Sequence, residues 1–310
     1  MDANLTMLYS EHSQQMHSKA MVNSNEVANP CNNGDENSES KRENTVKSVF
    51  SATAIKPCIS EEAVASRFSK AASKYNHLAN IQKIIAQTAI DNLPRRLTEE
   101  ALDIGCATGT HTQTLCEMGA NTTGIDIAEG MLAHAKATYA LPAFVHASAL
   151  NLPFSDEQFS TVFSSMALQW VSDPRKAASQ ISRVLKKGGI AELAIMVDGS
   201  FGELKRAREI AQLPQANTPM PSSNQWCEAF TQTGLRLSRV IVKDYVDSHS
   251  NIMALLRSVK GVGAGETGRK QPLLTRHDLN KLDMAYRNIC GVKDKLPLTY
   301  RVGHYRLEKR

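Results

Sequence analysis

The stretch Leu102-Asp103-Ile104-Gly105-Cys106-Ala107-Thr108-Gly109-Thr110 decides the fold of this chain. The apolar run 101–104 predicts a short strand, and the run 110–117 predicts a helix that leaves a turn bounded by two glycines. In an open α/β sheet a ligand lies outside the carboxyl ends of the strands, so a binding site is expected at this first turn. Glycine has no Cβ, which lets the backbone approach a bound molecule closely.

Strands and helices alternate along the chain after this turn. The predicted strands cover 122–127, 144–147, 161–165 and 190–197, and the predicted helices cover 130–139 and 174–185, with Gly188 and Gly189 ending the last helix. Further helices are expected at about 201–213, 223–231 and 251–260, and further strands at 237–245 and 300–307. This alternation indicates βαβ units, a parallel sheet and right-handed crossovers.

The first 58 residues differ in composition from the rest. Asn and Ser recur, as in Asn23-Ser24-Asn25 and Ser38-Glu39-Ser40, and no apolar period persists. Such a segment buries too little apolar surface to offset its ordering entropy. We therefore predict a disordered extension over 1–58 and a folded domain over 59–310, which opens with a helix capped by Ser60.

Composition argues against several classes of protein. The 310 residues are 42% hydrophobic, enough for a core, but no run approaches the ~18 apolar residues of a membrane span. No two of the six cysteines have C-x-x-C spacing, so neither a zinc site nor a redox motif is expected, and no metal is predicted. The first residues lack a basic segment followed by an apolar block, so a cytoplasmic location is expected.

The chemistry of the first turn distinguishes two kinds of nucleotide. Asp126 ends the next strand, where a carboxylate can accept both hydroxyls of a ribose. A dinucleotide site requires G-x-G-x-x-G, and Ala107 occupies the middle glycine position. Asp103 is unfavourable beside a pyrophosphate but suits a cationic cofactor. The turn therefore predicts S-adenosylmethionine (SAM) as cofactor, against the alternative that it is only a sharp strand-to-helix connection.

Further positions are expected to contact the cofactor. Met131 follows Asp126 and is either an adenine contact or a core residue. Ser148 follows the third strand, where an acid or amide could accept from the adenine amino group, and a serine does so only weakly. The predicted cofactor-binding residues are Asp103, Gly105, Cys106, Ala107, Gly109, Asp126, Ile127, Met131, Ser148, Ala149 and Ser165.

The segment after the fourth strand faces the expected position of a methyl acceptor. Gln169 and Trp170 are predicted to line that pocket, although Trp170 is equally consistent with a buried packing residue. Because the sequence offers no stronger signal at this point, both interpretations of Trp170 stay open.

The order of these motifs resembles class I SAM-dependent methyltransferases, through D-I-G-C-A-T-G at 103–109, I-D-I at 125–127 and N-L-P-F-S-D at 151–156. More narrowly, the chain resembles the malonyl-acyl-carrier-protein O-methyltransferases of biotin synthesis, the BioC family. The segments that carry this likeness are R-F-S-K-A-A-S-K-Y at 67–75, A-N-I-Q at 79–82, A-L-Q-W at 167–170, R-S-V-K-G-V-G-A at 257–264, L-L-T-R at 273–276 and L-P-L-T-Y at 296–300. The likeness runs from about residue 62 to the C-terminus. It departs from the family pattern at Ala107, where glycine is frequent, and at Ser148, where an acid is usual.

The resemblance implies a Rossmann-like α/β fold: a mostly parallel seven-stranded sheet with an antiparallel last strand and an insertion around 200–230 that helps close the acceptor pocket. It implies methyl transfer from SAM to the free carboxylate of a malonyl group on acyl carrier protein or CoA. A carboxylate is already ionised at neutral pH, so no catalytic base is required. Tyr75, Arg257 and Lys260 are candidates for orienting the acceptor carboxylate.

The charge of the last third suits such a partner. Residues 201–310 carry nineteen Lys and Arg against ten Asp and Glu, a net charge of +9. A basic surface steers an acidic carrier protein during encounter. No nucleic-acid or membrane partner is predicted.

Three alternatives remain at this stage. One is another SAM methyltransferase acting on a small acid or a quinone precursor, since the fold does not determine the acceptor. A second is a non-catalytic protein that binds SAM or a carrier, in which Ala107 and Ser148 mark decay. The third, an NAD-linked oxidoreductase, is disfavoured by Ala107.

Overall fold

A computed structural model describes residues 60–215, 219–261, 273–292 and 294–310. The extension predicted over 1–58 lies outside these residues. The helices are α1 (Glu61–Leu78), α2 (Asn80–Ile90), α3 (Thr110–Glu117), α4 (Glu129–Thr138), α5 (Pro174–Val184), α6 (Gly202–Ile210), α7 (Ser223–Thr231), α8 (Ile252–Gly261) and α9 (Arg276–Cys290). The strands are β1 (Glu100–Ile104), β2 (Asn121–Asp126), β3 (Ala143–His146), β4 (Phe159–Ser165), β5 (Leu185–Met196), β6 (Leu235–His249) and β7 (Leu296–Lys309), and a short 3₁₀ helix spans Leu168–Trp170.

The seven strands form one sheet in the order β3-β2-β1-β4-β5-β7-β6. Strands β1 to β5 are parallel, whereas β7 lies between β5 and β6 and is antiparallel to both. The predicted mostly parallel sheet with an antiparallel last strand is thus confirmed. Strand β1 pairs with β2 on one side and with β4 on the other, so the chain adds strands first to one side of β1 and then to the other. At such a switch point a crevice opens at the carboxyl ends of the strands.

Helix α1 lies against α4 at this end of the sheet. Its first turn is capped as predicted, with the Ser60 hydroxyl accepting from the backbone N–H of Ala63 at 3.3 Å. The backbone N–H of Gly130 donates to the hydroxyl of Ser69 at 3.1 Å. A Cβ on Gly130 would lie 2.6 Å from the carbonyl oxygen of Ser69, so only glycine permits this close approach of the two helices.

One predicted helix end is wrong. Gly188 and Gly189 do not follow the C-terminus of α5, because that helix already ends at Val184 and Leu185 is extended. Strand β5 begins at Leu185 and contains both glycines, and its register with β4 shifts between Phe159 and Thr161. Glycine with a positive φ serves a strand irregularity as readily as a helix end, and Gly188 has a φ of +76°.

Helix α9 was not among the predicted elements, although its ends carry clear signals. The Thr275 hydroxyl accepts from the backbone N–H of Asp278, whose carboxylate accepts in turn from the N–H of Thr275, which makes a capping box. Gly291 ends the helix in the left-handed conformation, with a φ of +62°. The prediction missed these signals because the preceding residues show no regular pattern.

A buried carboxylate joins the parallel and antiparallel parts of the sheet. Glu192, on β5, is fully buried. It accepts from Arg306 Nε on β7 at 2.6 Å, from Arg239 Nη2 on β6 at 2.9 Å and from Asn92 Nδ2 at 3.1 Å. The interactions hold β6 and β7 in position beside β5, and so they position Tyr300 on β7.

In the part of the chain that the structure describes, no helix combines the length and hydropathy that a membrane span requires.

Substituting Glu192 with alanine should destabilise the fold by about 3 kcal/mol, since it leaves two arginines without their buried acceptor. The matched control is Glu99→Ala, because Glu99 forms an exposed ion pair with Lys186 and such pairs contribute less than about 1 kcal/mol. Urea unfolding of both variants measures the difference. Equal losses would mean that the buried network contributes no more than a surface pair.

Candidate active site

The turn after β1 is a tightly hydrogen-bonded loop. The backbone N–H groups of Gly105 and Cys106 both donate to the carbonyl oxygen of Ile125 on β2, at 2.8 and 2.9 Å. Gly105, Ala107 and Gly109 have φ values of +76°, +48° and +82°. The left-handed conformation costs a residue with a Cβ about 1–2 kcal/mol, so Ala107 is the strained position of the turn.

Asp126, at the end of β2, stabilises that strained position. Its carboxylate accepts from the backbone N–H of Ala107 at 2.9 Å and from that of Ala128 at 2.8 Å. Burial raises the pKa of Asp126, and these N–H groups oppose the rise. The carboxylate still has lone pairs facing the cleft, which can accept from two vicinal hydroxyls.

A cleft of about 660 Å³, counted together with the solvent space at its mouth, runs along the carboxyl ends of the strands. It extends from Ala147 and Ala149 beyond β3, past Asp126 and Gly105, to Trp170 beyond β4. Helix α1 covers it with four side chains: Glu61, Val64, Phe68 and Tyr75. The size and the largely apolar lining fit a nucleoside-sized ligand.

A smaller cavity of about 260 Å³ adjoins the cleft at its β4 end. The two share Phe68, Tyr75, Met166 and Trp170, and the smaller one adds Gln82, Gln169, Met196 and Tyr300. The ring of Phe68 meets those of Tyr75 and Trp170 edge-on, with centroids 6.3 and 6.0 Å apart. These three rings lie where the cleft and the smaller cavity meet, because each of them lines both.

Several buried polar atoms of this smaller cavity have no hydrogen-bond partner. They are Gln82 Nε2 and Oε1, Gln169 Oε1, Trp170 Nε1 and the hydroxyl of Tyr300. Burial raises the pKa of Tyr300 to about 12, and contacts of its hydroxyl with the Ser258 and Gln82 side chains, which fall short of hydrogen-bond geometry, lower it in part. An unpaired buried polar group costs about 1–3 kcal/mol, so this cluster is built to meet a polar ligand.

A third cavity lies on the other side of the turn and encloses about 430 Å³. Its lining includes Cys106, Thr108, Lys83 and His111, with the N-terminus of α3 beside them. Burial and, to a smaller extent, the charge of Lys83 lower the pKa of His111 to about 4, so His111 is neutral at pH 7. The combination of a lysine and a helix N-terminus suits a carboxylate.

Seven of the predicted cofactor residues line these cavities: Gly105, Cys106, Ala107, Asp126, Ile127, Ala149 and Ser165. The other four predicted residues line none of the three cavities. Gly109 approaches Phe144, Met131 is buried against Ala72 and Ala128, and Ser148 bonds to Glu61. Asp103 is buried and accepts from the Thr112 hydroxyl at 2.7 Å, and burial raises its pKa to about 7.

The predicted acceptor residues divide into two groups. Tyr75, Gln169 and Trp170 come together around the smaller cavity. Arg257 and Lys260 are exposed on α8 and line none of the three cavities. The described residues of 200–230 likewise line none of the three, since α6 packs against α9 and β7 and α7 against α5 and β6.

The lining residues that sequence reasoning missed include Glu61, Phe68, Gln82, Met166 and Tyr300. Two carried a usable signal. Gln82 is a polar residue on the buried face of α2, next to Ile81, and Met166 directly follows β4 in the left-handed conformation, with a φ of +56°. Among the residues that the structure describes, no group of three or more His, Cys, Asp or Glu could hold a metal ion.

Comparisons with known proteins agree with this geometry. The model of the family described as "Methyltransferase domain" matches residues 102–193. The chain is 30% identical over 266 residues to the malonyl-[acyl-carrier protein] O-methyltransferase of Herminiimonas arsenicoxydans, covering 82% of this chain and 98% of that one. It is also 30% identical over 249 residues to the biotin biosynthesis bifunctional protein BioHC of Cellvibrio japonicus, covering 79% of this chain and 49% of that one. Among solved structures, the YcgJ protein of Bacillus subtilis has the same fold, with a TM-score of 0.51 and 16% identity over 74% of this chain and 98% of that one.

Gly105→Ala should disrupt the turn, because its new Cβ would lie 2.1 Å from the Cβ of Ala167 at a φ of +76°. We expect at least a tenfold loss of affinity for S-adenosylhomocysteine, measured by calorimetry, and a loss of about 2 kcal/mol or more of stability. Gly234→Ala is the control, since Gly234 has a φ of +80° but no atom near its Cβ position. It should lose some stability and keep its affinity. Parallel losses of affinity in both variants would contradict a role for the Gly105 turn in binding.

Proposed function

The chain belongs to the malonyl-[acyl-carrier protein] O-methyltransferase family, and we propose that it methylates the free carboxylate of a malonyl group carried as a thioester on acyl carrier protein, with SAM as methyl donor. The observation that carries the acceptor assignment is the cluster of buried, unpaired hydrogen-bonding groups in the smaller cavity. This cluster lies next to the cleft, at the end where a transferred methyl group has to leave it.

The residues of the cleft fit SAM along its whole length. Asp126 would accept from the two ribose hydroxyls, and Ala147 and Ala149 beyond β3 would give the adenine an apolar surface. The third cavity, with Lys83 and the N-terminus of α3, suits the methionyl carboxylate. Bound SAM supplies a methyl group activated by its positively charged sulfur.

The reaction requires positioning more than proton transfer. An oxygen of the ionised malonyl carboxylate attacks the methyl carbon as the carbon–sulfur bond breaks, giving a methyl ester and neutral S-adenosylhomocysteine. The two charges cancel as the reaction proceeds, so a dry cavity walled by Phe68 and Trp170 favours the transition state over the separated ions. Holding oxygen, methyl and sulfur in line supplies most of the rate.

The groups that orient the carboxylate are neutral. The amide N–H of Gln82, the indole N–H of Trp170 and the hydroxyl of Tyr300 are donors without a formal charge. A bound arginine or lysine would withdraw electron density from the attacking oxygen and so weaken it as a nucleophile. Neutral donors fix its direction at lower cost to its reactivity, and Tyr75 lies beside them.

The partner and pathway follow from the family. We propose that acyl carrier protein docks on the basic surface of residues 201–310, where Arg257 and Lys260 are exposed on α8. The Cellvibrio relative is named for biotin biosynthesis, and we assign the methyl ester made here to that pathway in the cytoplasm. Methylation removes the negative charge from the malonyl end, so chain-elongating enzymes can accept it as an apolar acyl group.

Radiolabelled SAM offered in parallel with malonyl-carrier protein, malonyl-CoA and acetyl-carrier protein tests this function. We expect a labelled, base-labile ester on malonyl-carrier protein, a slower reaction with malonyl-CoA and no reaction with the acetyl thioester, which has no free carboxylate. If S-adenosylhomocysteine binds but no malonyl thioester is labelled, the acceptor is a different acid.

Gln82→Leu should reduce kcat/KM for malonyl-carrier protein by about 10- to 100-fold, because a hydrogen bond to a charged group contributes about 1.5–3 kcal/mol. Affinity for S-adenosylhomocysteine should stay within about twofold. Gln87→Leu is the matched control, since Gln87 lies on the exposed face of the same helix. A fall in cofactor affinity equal to the fall in kcat/KM would instead assign Gln82 to the cofactor site.

A further inference from the structure

The hydroxyl of Ser148 makes two hydrogen bonds within the protein. It donates to Glu61 Oε1 at 2.7 Å and accepts from the backbone N–H of Leu150 at 3.0 Å. A serine hydroxyl has a single hydrogen, so Ser148 has none left to donate to a ligand. Ser148, which follows β3, therefore orients the carboxylate of Glu61.

Glu61 brings a carboxylate to the β3 end of the cleft. It belongs to the first turn of α1, is half-buried and lines the cleft together with Ala147 and Ala149. Its Oε1 is held by Ser148, whereas its Oε2 makes no hydrogen bond to any residue within the described ranges. One carboxylate oxygen is therefore fixed and the other is available to a ligand.

The residues that line the cleft favour its β3 end as the position of the purine. Asp126 lies in the middle of the cleft and suits the ribose. On its β4 side the cleft adjoins the polar acceptor cavity, while on its β3 side its lining includes the small apolar residues Ala147 and Ala149. Adenine has apolar faces and a single exocyclic amino group, which is a hydrogen-bond donor, and an ionised carboxylate only accepts.

We propose that Oε2 of Glu61 accepts a hydrogen bond from the exocyclic amino group of the adenine of SAM, and that Ser148 serves as the positioning residue for this carboxylate. The proposal rests on the SAM dependence stated above and deepens it. The acceptor for adenine is then supplied by α1, 87 residues before Ser148, whose own hydroxyl is engaged with Glu61 and with Leu150. Adenine recognition also links α1 directly to the bound cofactor.

Calorimetric titration with S-adenosylhomocysteine and with S-inosylhomocysteine tests this assignment, because the second ligand replaces the amino group by an oxo group. The natural chain should prefer the adenine ligand. Glu61→Ala should reduce this preference about tenfold or more, through weaker binding of S-adenosylhomocysteine. Glu61→Gln should accept both ligands more evenly, since its amide can accept from an amino group or donate to an oxo group.

Two further variants sharpen the test. Glu62→Gln is the matched control, because Glu62 is the exposed neighbour on the same helical turn and should leave the preference unchanged. Ser148→Asp placed in the Glu61→Ala background should restore part of the preference, since it returns a carboxylate to the same end of the cleft. Hydrogen exchange gives a readout independent of the affinities: S-adenosylhomocysteine should slow exchange in the first turns of α1 in the natural chain and not in Glu61→Ala.

The outcomes distinguish the role of Glu61 from the methyltransferase function on which it rests. If the natural chain binds S-adenosylhomocysteine and Glu61→Ala and Glu61→Gln keep its ligand preference, the role of Glu61 is overturned and the methyltransferase function stands. If the natural chain binds no S-adenosylhomocysteine at millimolar concentration, both fall together. Glu61→Gln is isosteric with the native residue, so it keeps the test decisive if Glu61→Ala fails to fold.

Discussion

Two backbone N–H groups, those of Ala107 and Ala128, converge on the buried carboxylate of Asp126, and the geometry of the whole site depends on this convergence. A buried carboxylate without donors would be too costly to keep ionised. The two N–H groups offset that cost and at the same time tie the turn after β1 to the end of β2. The same hydrogen bond holds Ala107 in its left-handed conformation, so one interaction both offsets the strain of the turn and stabilises the charge of Asp126.

The distribution of charge around the site follows from the chemistry it performs. Transfer of a methyl group from a sulfonium to a carboxylate removes two opposite charges, so strong fixed charges near the reacting atoms would stabilise the ground state more than the transition state. The described cavity beside the cleft accordingly offers amide, indole and phenol groups. Among the described basic residues of the last third, Arg257 and Lys260 lie on α8 and line none of the three cavities, so their long-range attraction of an acidic partner does not affect the reacting oxygen.

The parts of the site that the sequence predicted are those that arise from local pattern. The turn at 105–109 and Asp126 lie at the ends of consecutive parallel strands, and a parallel sheet brings such ends together, so spacing along the chain was enough. Gln82 and Tyr300 lie more than two hundred residues apart, on α2 and β7, and no periodicity links them. Arg257 and Lys260 on α8 line none of the three cavities, because charge complementarity to a carboxylate gives no information about where α8 packs. The glycines at 188 and 189 misled for a related reason: their conformational freedom serves a strand irregularity as well as a helix end.

Helix α1 carries residues that line both ends of the cleft. Fourteen residues separate Glu61 from Tyr75, about 21 Å along a helix, and Phe68 lies halfway between them. With Glu61 at the β3 end of the cleft and Tyr75 at the smaller cavity, a single helix spans the full length of the cleft. The close contact of Ser69 with Gly130 fixes this helix against α4, so it cannot approach one end of the cleft and leave the other. If Glu61 holds the purine, a bound cofactor favours the same helix position that places Phe68 and Tyr75 around the methyl acceptor, and the dry acceptor cavity is complete only when the methyl donor is in place.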